Sequence, residues 1–168
     1  RKEINYKIFY NNYTMRRITF PALFLLLITI VLSSCKEDTY IDWKILNDNW
    51  YANHSSDEGY IKTESGLCYK VIHQGELRRP SSSSNITVKY SGKLINEVVL
   101  DSSDSYDTNL SYMIQGWIEG IAKMNVGGHY LFYIPADLAY GTAGQGTIPP
   151  YSVLIFDVTL LASEDQVY

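Results

Sequence analysis

Gly116-Trp117-Ile118-Glu119-Gly120-Ile121-Ala122-Lys123-Met124, then Asn125-Val126-Gly127-Gly128, then His129-Tyr130-Leu131-Phe132-Tyr133-Ile134-Pro135, is the stretch on which the fold turns. Trp117, Ile121 and Met124 recur at helical spacing, which predicts a short helix between glycines over 116–124. Gly127-Gly128 reads as a turn and 129–134 as a strand. Pro135 has no N–H to give a neighbouring strand, so it stops that strand.

Outward from this centre the pattern is β-rich. Toward the C-terminus, Asp137 to Tyr140 reads as a single turn, Gly141 to Gly146 as a glycine-rich loop, and Ile148-Pro149-Pro150 follows. Residues 153–161 form a strong strand, with Leu154, Phe156, Val158 and Leu160 opposed to Val153, Ile155, Asp157 and Thr159. Toward the N-terminus, Ile86, Val88 and Tyr90 alternate with Thr87, Lys89 and Ser91. Residues 93–100 return as a paired strand, with the turn near Ile95-Asn96-Glu97. The Ser/Asp-rich run from Asp101 to Asn109 is expected to be a loop or irregular edge. Residues 66–73 form a further strand, with Leu67, Tyr69 and Val71 on one face. Cys68 lies on the other face beside Lys70, where a lone Cys is usually inert packing. About five strands and one useful helix make an α+β pattern.

Composition narrows the function classes. The 168 residues suffice for one domain plus targeting and linker segments. A hydrophobic share of 46% argues against wholesale disorder. A net charge of -4 argues against a nucleic-acid partner, because phosphate binding needs a basic face. Fifteen tyrosines suit a β-rich fold. The three histidines are scattered and no cluster has metal-ligand spacing, so neither a metal nor a cofactor is expected. No Gly-x-Ser-x-Gly elbow points to a hydrolase.

The N-terminal third reads as an address. Arg16 and Arg17 precede an apolar run from Ile18 to Leu32, too short for a membrane-spanning helix but suited to a secretory signal peptide. Translation is expected to start at Met15, with residues 1–14 an upstream over-extension and 15–34 the signal peptide; a genuine tail before a short membrane anchor is the alternative. Leu32-Ser33-Ser34-Cys35 resembles the lipobox of bacterial lipoproteins, which implies lipid on Cys35. Two acyl chains give stable anchoring. A Cys35–Cys68 disulfide is the other arithmetic option. Lys36-Glu37-Asp38 resembles a surface-export signal of certain Gram-negative lipoproteins, and reads equally as a solvated linker. The expected location is the outer membrane of a Gram-negative bacterium, on its periplasmic or cell-surface face. Residues 35–64 are expected to be a spacer able to pack on the domain. Within it, Asp42 to Tyr51 forms a helix capped by Asp42, with Trp43, Leu46, Trp50 and Tyr51 on its stripe.

Val88-Lys89-Tyr90-Ser91-Gly92, Leu100-Asp101-Ser102-Ser103, Ile114-Gln115-Gly116-Trp117-Ile118-Glu119-Gly120 and Met124-Asn125-Val126-Gly127-Gly128 occur in that order. Ile134-Pro135, Leu138-Ala139-Tyr140-Gly141, Ile148-Pro149-Pro150 and Phe156-Asp157-Val158 follow. Together they resemble the FKBP-type peptidyl-prolyl cis-trans isomerases, in the bacterial lipoprotein form. The resemblance implies a bent antiparallel sheet of five or six strands wrapped around one short helix. It places the domain at about 65–163, with a tail at 164–168.

The resemblance also implies a site. Tyr90 and Phe156 match pocket-wall aromatics, Trp117 the floor, and Ile148 a residue across the mouth. Ile114 matches the residue whose backbone meets the ligand. Tyr140 matches a hydroxyl that donates to a substrate carbonyl, or else is a packed corner residue. Asp101 matches the pocket carboxylate, which is not a general base; capping of local N–H groups is its plainer role. Two departures stand out. Leu100 replaces the family's usual Phe, and the segment from Ser103 to Ile114 is short, with Leu110 and Tyr112 as candidates for its missing aromatic. The implied partners are proline-containing segments of folding proteins, with macrolide inhibitors as candidate ligands. A non-catalytic peptide-binding or chaperone module on the same fold is the competing function, and a structural surface lipoprotein with a decayed pocket a third.

Overall fold

The computed structural model describes residues 39–164. The readings that concern residues 1–38, Cys35 among them, and the last four residues lie outside that range. The elements are α1 (Ile41–His54), β1 (Tyr60–Lys62), β2 (Cys68–His73), β3 (Asn85–Leu94), β4 (Val99–Asn109), α2 (Gln115–Ile121), β5 (His129–Ile134) and β6 (Leu154–Glu164). Single 3₁₀ turns cover Leu110–Tyr112 and Ala136–Leu138. The six strands form one antiparallel sheet in the order β1-β2-β5-β6-β3-β4. This is the expected α+β architecture.

The period-2 alternation carries the sheet. Ile86, Val88 and Leu94 of β3 and Leu154, Val158 and Leu160 of β6 are buried on one face with Tyr130, Phe132 and Ile134 of β5. Trp117 and Ile121 of α2, with Met124 just beyond it, close over them. Two glycines let this helix approach. A Cβ at Gly116 would lie 2.4 Å from Ile134 Cγ2, and one at Gly120 would lie 2.6 Å from Phe132 Cε1. Spaced by four residues, they turn one helix face to β5.

Three local expectations are corrected. The Ser/Asp-rich run 101–109 is the edge strand itself rather than a loop. It pairs with β3 along its length, and the register slips by one residue between Val88↔Tyr106 and Tyr90↔Ser103. Such a bulge twists an edge away from other chains, and the polar side chains suit its exposure. Leu46 is 57% exposed and off the packed face of α1, and fully buried Asn47 takes that place. Trp43, Asn47, Trp50 and His54 follow the helical repeat more closely than Leu46 does. Asp42 does not cap α1: Tyr40 holds the N-cap position without a side-chain bond, and Asp42 sits in the first turn. There its carboxylate faces the positive end of the helix dipole.

The segment read as a spacer contributes α1 and β1 to the same compact unit as the sheet. Trp50 meets Tyr133 edge-on, with centroids 4.9 Å apart, and the Tyr51 hydroxyl donates to the Gly66 carbonyl. The Cys68 thiol is buried and donates to the Ser55 carbonyl at 3.5 Å, so Cys68 is a free, packed side chain. Burial pushes Cys68 up to about 11 and Tyr51 up to about 12. Both groups stay neutral in the fold at pH values where the unfolded chain has lost those protons. Their stability is complete below about pH 9 and drains away as pH rises through 11 to 12. The urea midpoint is therefore expected to hold from pH 7 to 8.5 and fall steadily above 9. A Cys68→Ala variant should show a shallower fall between pH 9 and 11; identical slopes would contradict the assignment.

Candidate functional site

Where β3, β4 and β6 meet the loop after the second 3₁₀ turn, a cavity of about 370 Å³ opens. Strand alternation aims Tyr90 and Phe156 into it from β3 and β6, and β4 adds Leu100, Asp101 and Tyr106. Tyr140, Gln145, Gly146, Thr147 and Ile148 form the opposite rim, and Met113 and Leu154 complete the lining. Trp117 stands behind the wall, 2% exposed, with its ring edge-to-face at 5.2 Å to both Tyr90 and Phe156. Ile114 is the N-cap residue of α2 and packs half-buried against the core. The structure thus gathers Tyr90, Leu100, Asp101, Tyr140, Ile148 and Phe156 around one cavity. Trp117 supports two of its walls from behind, while Ile114 is not among its lining residues.

The polar part is small and tightly held. The Tyr90 hydroxyl donates to Asp101 Oδ2 at 2.5 Å, and the Ser102 N–H donates to Asp101 Oδ1 at 2.8 Å. Asp101 thus lines the cavity and also accepts from a local N–H. Burial, and then the bond to Asp101, raise the Tyr90 hydroxyl well above the ordinary tyrosine range. Tyr90 thus remains a donor at any physiological pH. Among the described residues no group of three or more His, Cys, Asp or Glu could hold a metal ion.

The missing aromatic of the short segment has a different source from the one expected. Leu110 is fully buried in the core, and Tyr112 is 85% exposed, so neither lines the cavity. Tyr106 does, with its ring edge-on to Tyr90 at 5.7 Å. The signal was one Tyr in a polar run read as a loop; as a strand residue beside the bulge it points at the pocket. A larger groove, about 740 Å³, lies on the opposite sheet face. Its lysines are already paired, Lys89 with Asp104 and Lys93 with Glu97, and Asp157 is hydrogen-bonded to His129. The smaller cavity, apolar with a few fixed polar groups, has the character of a ligand site.

The profile of the FKBP-type peptidyl-prolyl cis-trans isomerases matches residues 76–161. This chain belongs to that family. An FKBP-type 22 kDa peptidyl-prolyl cis-trans isomerase of Escherichia coli is 42% identical over 113 residues, covering 64% of this chain and 55% of the relative. The FKBP-type isomerase FkpA of Aeromonas hydrophila is 39% identical over 121 residues, covering 70% and 45%. The outer membrane protein MIP of Legionella longbeachae is 35% identical over 124 residues, covering 71% and 53%. The chain spans about half the length of these curated relatives. Among solved structures, FkpA from Escherichia coli superposes with a TM-score of 0.75 at 29% identity, covering 90% of this chain and 76% of that one. A Pseudomonas syringae peptidyl-prolyl isomerase superposes at 0.72 and 23% identity, a likeness of fold alone.

Proposed function

We propose that this protein is a peptidyl-prolyl cis-trans isomerase that assists protein folding outside the cytoplasm. The observation that carries the reading is the aromatic cavity in which Tyr90, Phe156 and Tyr106 surround a single carboxylate held by two donors. Resonance sets the barrier to rotation about a peptide bond at about 18–20 kcal/mol. The reaction breaks no covalent bond, so a site needs only to favour the twisted amide over either planar form. A twisted amide has lost charge separation, so an apolar slot stabilises it relative to the planar states. In this reading the pyrrolidine ring enters between Tyr90 and Phe156, over the support of Trp117. Leu100, Tyr106 and Ile148 border the residue before proline. The Tyr140 hydroxyl donates to a substrate carbonyl, and the Ile114 backbone meets the extended peptide. Asp101 orients Tyr90 and shapes the wall.

The supporting context is an envelope one. MIP of Legionella longbeachae is named as an outer membrane protein. Among the described residues no helix is long and apolar enough to cross a membrane. Lipid on Cys35, after removal of a signal peptide over 15–34, supplies the anchor in this proposal. Residues 65–163 then form the isomerase unit, with macrolides as candidate inhibitors.

The test follows cis-to-trans conversion of short peptides varied before proline, using full chain in which Cys35→Ser prevents lipidation. Acceleration is expected. Asp101→Ala should lower kcat/KM about tenfold, and Tyr140→Phe about three- to tenfold, each the cost of one polar contact. A folded sample that binds the peptides without accelerating them would instead favour a peptide-binding module, and Leu100 would be the first suspect. Mass spectrometry of the membrane fraction, with Cys35→Ser as control, tests the lipid.

A further inference from the structure

The site's far rim is held by an element outside the family-matched stretch. Helix α1 lies more than eighty residues upstream of the 140–150 loop, yet two side-chain hydrogen bonds tie it to that loop's end, one from Trp43 and one to Asn47. Trp43 Nε1–H donates to Ser152 Oγ at 2.9 Å, and Ser152 Oγ–H donates to the Pro149 carbonyl at 2.7 Å. The direction of this relay is fixed, because an indole nitrogen only donates and a carbonyl only accepts. The Val153 N–H donates to Oδ1 of Asn47 at 2.8 Å, and Asn47 Nδ2 is anchored on the Trp43 carbonyl at 2.8 Å. Asn47 is fully buried and Ser152 nearly so. A buried amide matched at both ends to backbone groups specifies one docking of α1.

The bonds continue into the pocket. Pro149 follows Ile148, whose N–H and carbonyl pair with Gln145 at 2.8 and 2.9 Å. Tyr151, at a φ of 63°, donates its N–H to the Gly141 carbonyl at 2.9 Å, beside Tyr140. Both functional side chains of this rim thus hang on a turn that α1 grips at 152 and 153. We propose that Trp43 and Asn47 are positioning residues of the prolyl pocket, setting Ile148 and Tyr140 through Ser152 and Val153. The inference rests on the isomerase reading for its kinetic consequence and on the bonds alone for its structural one.

The experiment uses full chain with Trp43→Phe, which keeps a ring and removes the N–H, with Ser152→Ala and Ser152→Thr, and with Ile45→Ala on the exposed face of α1. Trp43→Phe and Ser152→Ala should each raise KM for a proline tetrapeptide about three- to tenfold, with kcat within about twofold. The double variant should be no worse than the more affected single, because both cut one relay. Ser152→Thr, which keeps the hydroxyl, should restore KM, and Ile45→Ala should change nothing. Amide hydrogen exchange supplies a readout free of activity: Gln145, Ile148 and Tyr151 should exchange about fivefold faster in Trp43→Phe while β5 amides hold their rates. If the parent chain does not accelerate isomerisation, the enzyme reading fails and exchange alone decides the positioning role. Unchanged exchange at those three amides, or faster exchange throughout the sheet, overturns it. So does unchanged KM in an active enzyme.

Discussion

Trp117→Ala is expected to lower the unfolding free energy by about 3–5 kcal/mol and to remove most isomerase activity. The indole is 2% exposed and touches Tyr90 and Phe156 edge-to-face, each at 5.2 Å. Truncation leaves a void under both walls, and the surrounding sheet cannot collapse into it without breaking the β3–β6 register. The two rings lose their common support, so kcat/KM should fall about a hundredfold, equivalent to roughly 2.7 kcal/mol in the transition state. Trp117→Phe separates volume from polarity. The Trp117 Nε1–H is buried without a hydrogen-bond partner among the described residues. Leaving such a donor unsatisfied costs about 1–3 kcal/mol, so Phe loses packing but also removes that penalty. Urea unfolding should therefore place Trp117→Phe within about 1.5 kcal/mol of the parent, while Trp117→Ala falls far below. Equal midpoints for Ala and the parent would refute the packing argument.

Most of the sheet was legible because its strands are buried on one face. In β3 and β6 the alternation of apolar and polar residues is the direct imprint of that burial, and the ordered motifs placed α2 against them. Two parts were not legible, for different reasons. Strand β4 has solvent at its edge, so burial imposes little alternation, and residues 101–109 look like a loop. A polar run gives Tyr106 no distinguishing signal, yet cross-strand pairing with Val88 places it beside the cavity. Helix α1 was readable as a helix, but its contact residue is the polar Asn47. Only the partner reveals why: the Val153 N–H, 106 positions away, needs an acceptor in the interior. A hydrophobic stripe cannot announce a buried hydrogen bond. Leu46, apolar and near the stripe, was the natural but mistaken choice.

Gly92→Val should strike the pocket while leaving the sheet largely intact. Gly92 lies on the inner face of β3, paired with Asp101 of β4 on one side and Phe156 of β6 on the other. Both of these neighbours line the cavity. A Cβ at Gly92 would stand 2.4 Å from Phe156 Cε1 and 2.9 Å from Cδ1, so the ring occupies the space that glycine leaves free. Valine is a good strand former, which limits the backbone cost and isolates the effect on the ring. Overpacking should cost about 1–3 kcal/mol of stability. Phe156 lines the cavity of about 370 Å³, and a ring pushed into that space would occupy the place of the pyrrolidine. kcat/KM should accordingly fall by more than about tenfold, mainly through KM, at urea concentrations where the variant is fully folded. Ser91→Val, on the opposite face of the same strand, is the matched control and should keep its activity. If Gly92→Val retained full kcat/KM, Phe156 would not be a wall of the substrate pocket, and the prolyl ring would have to bind elsewhere.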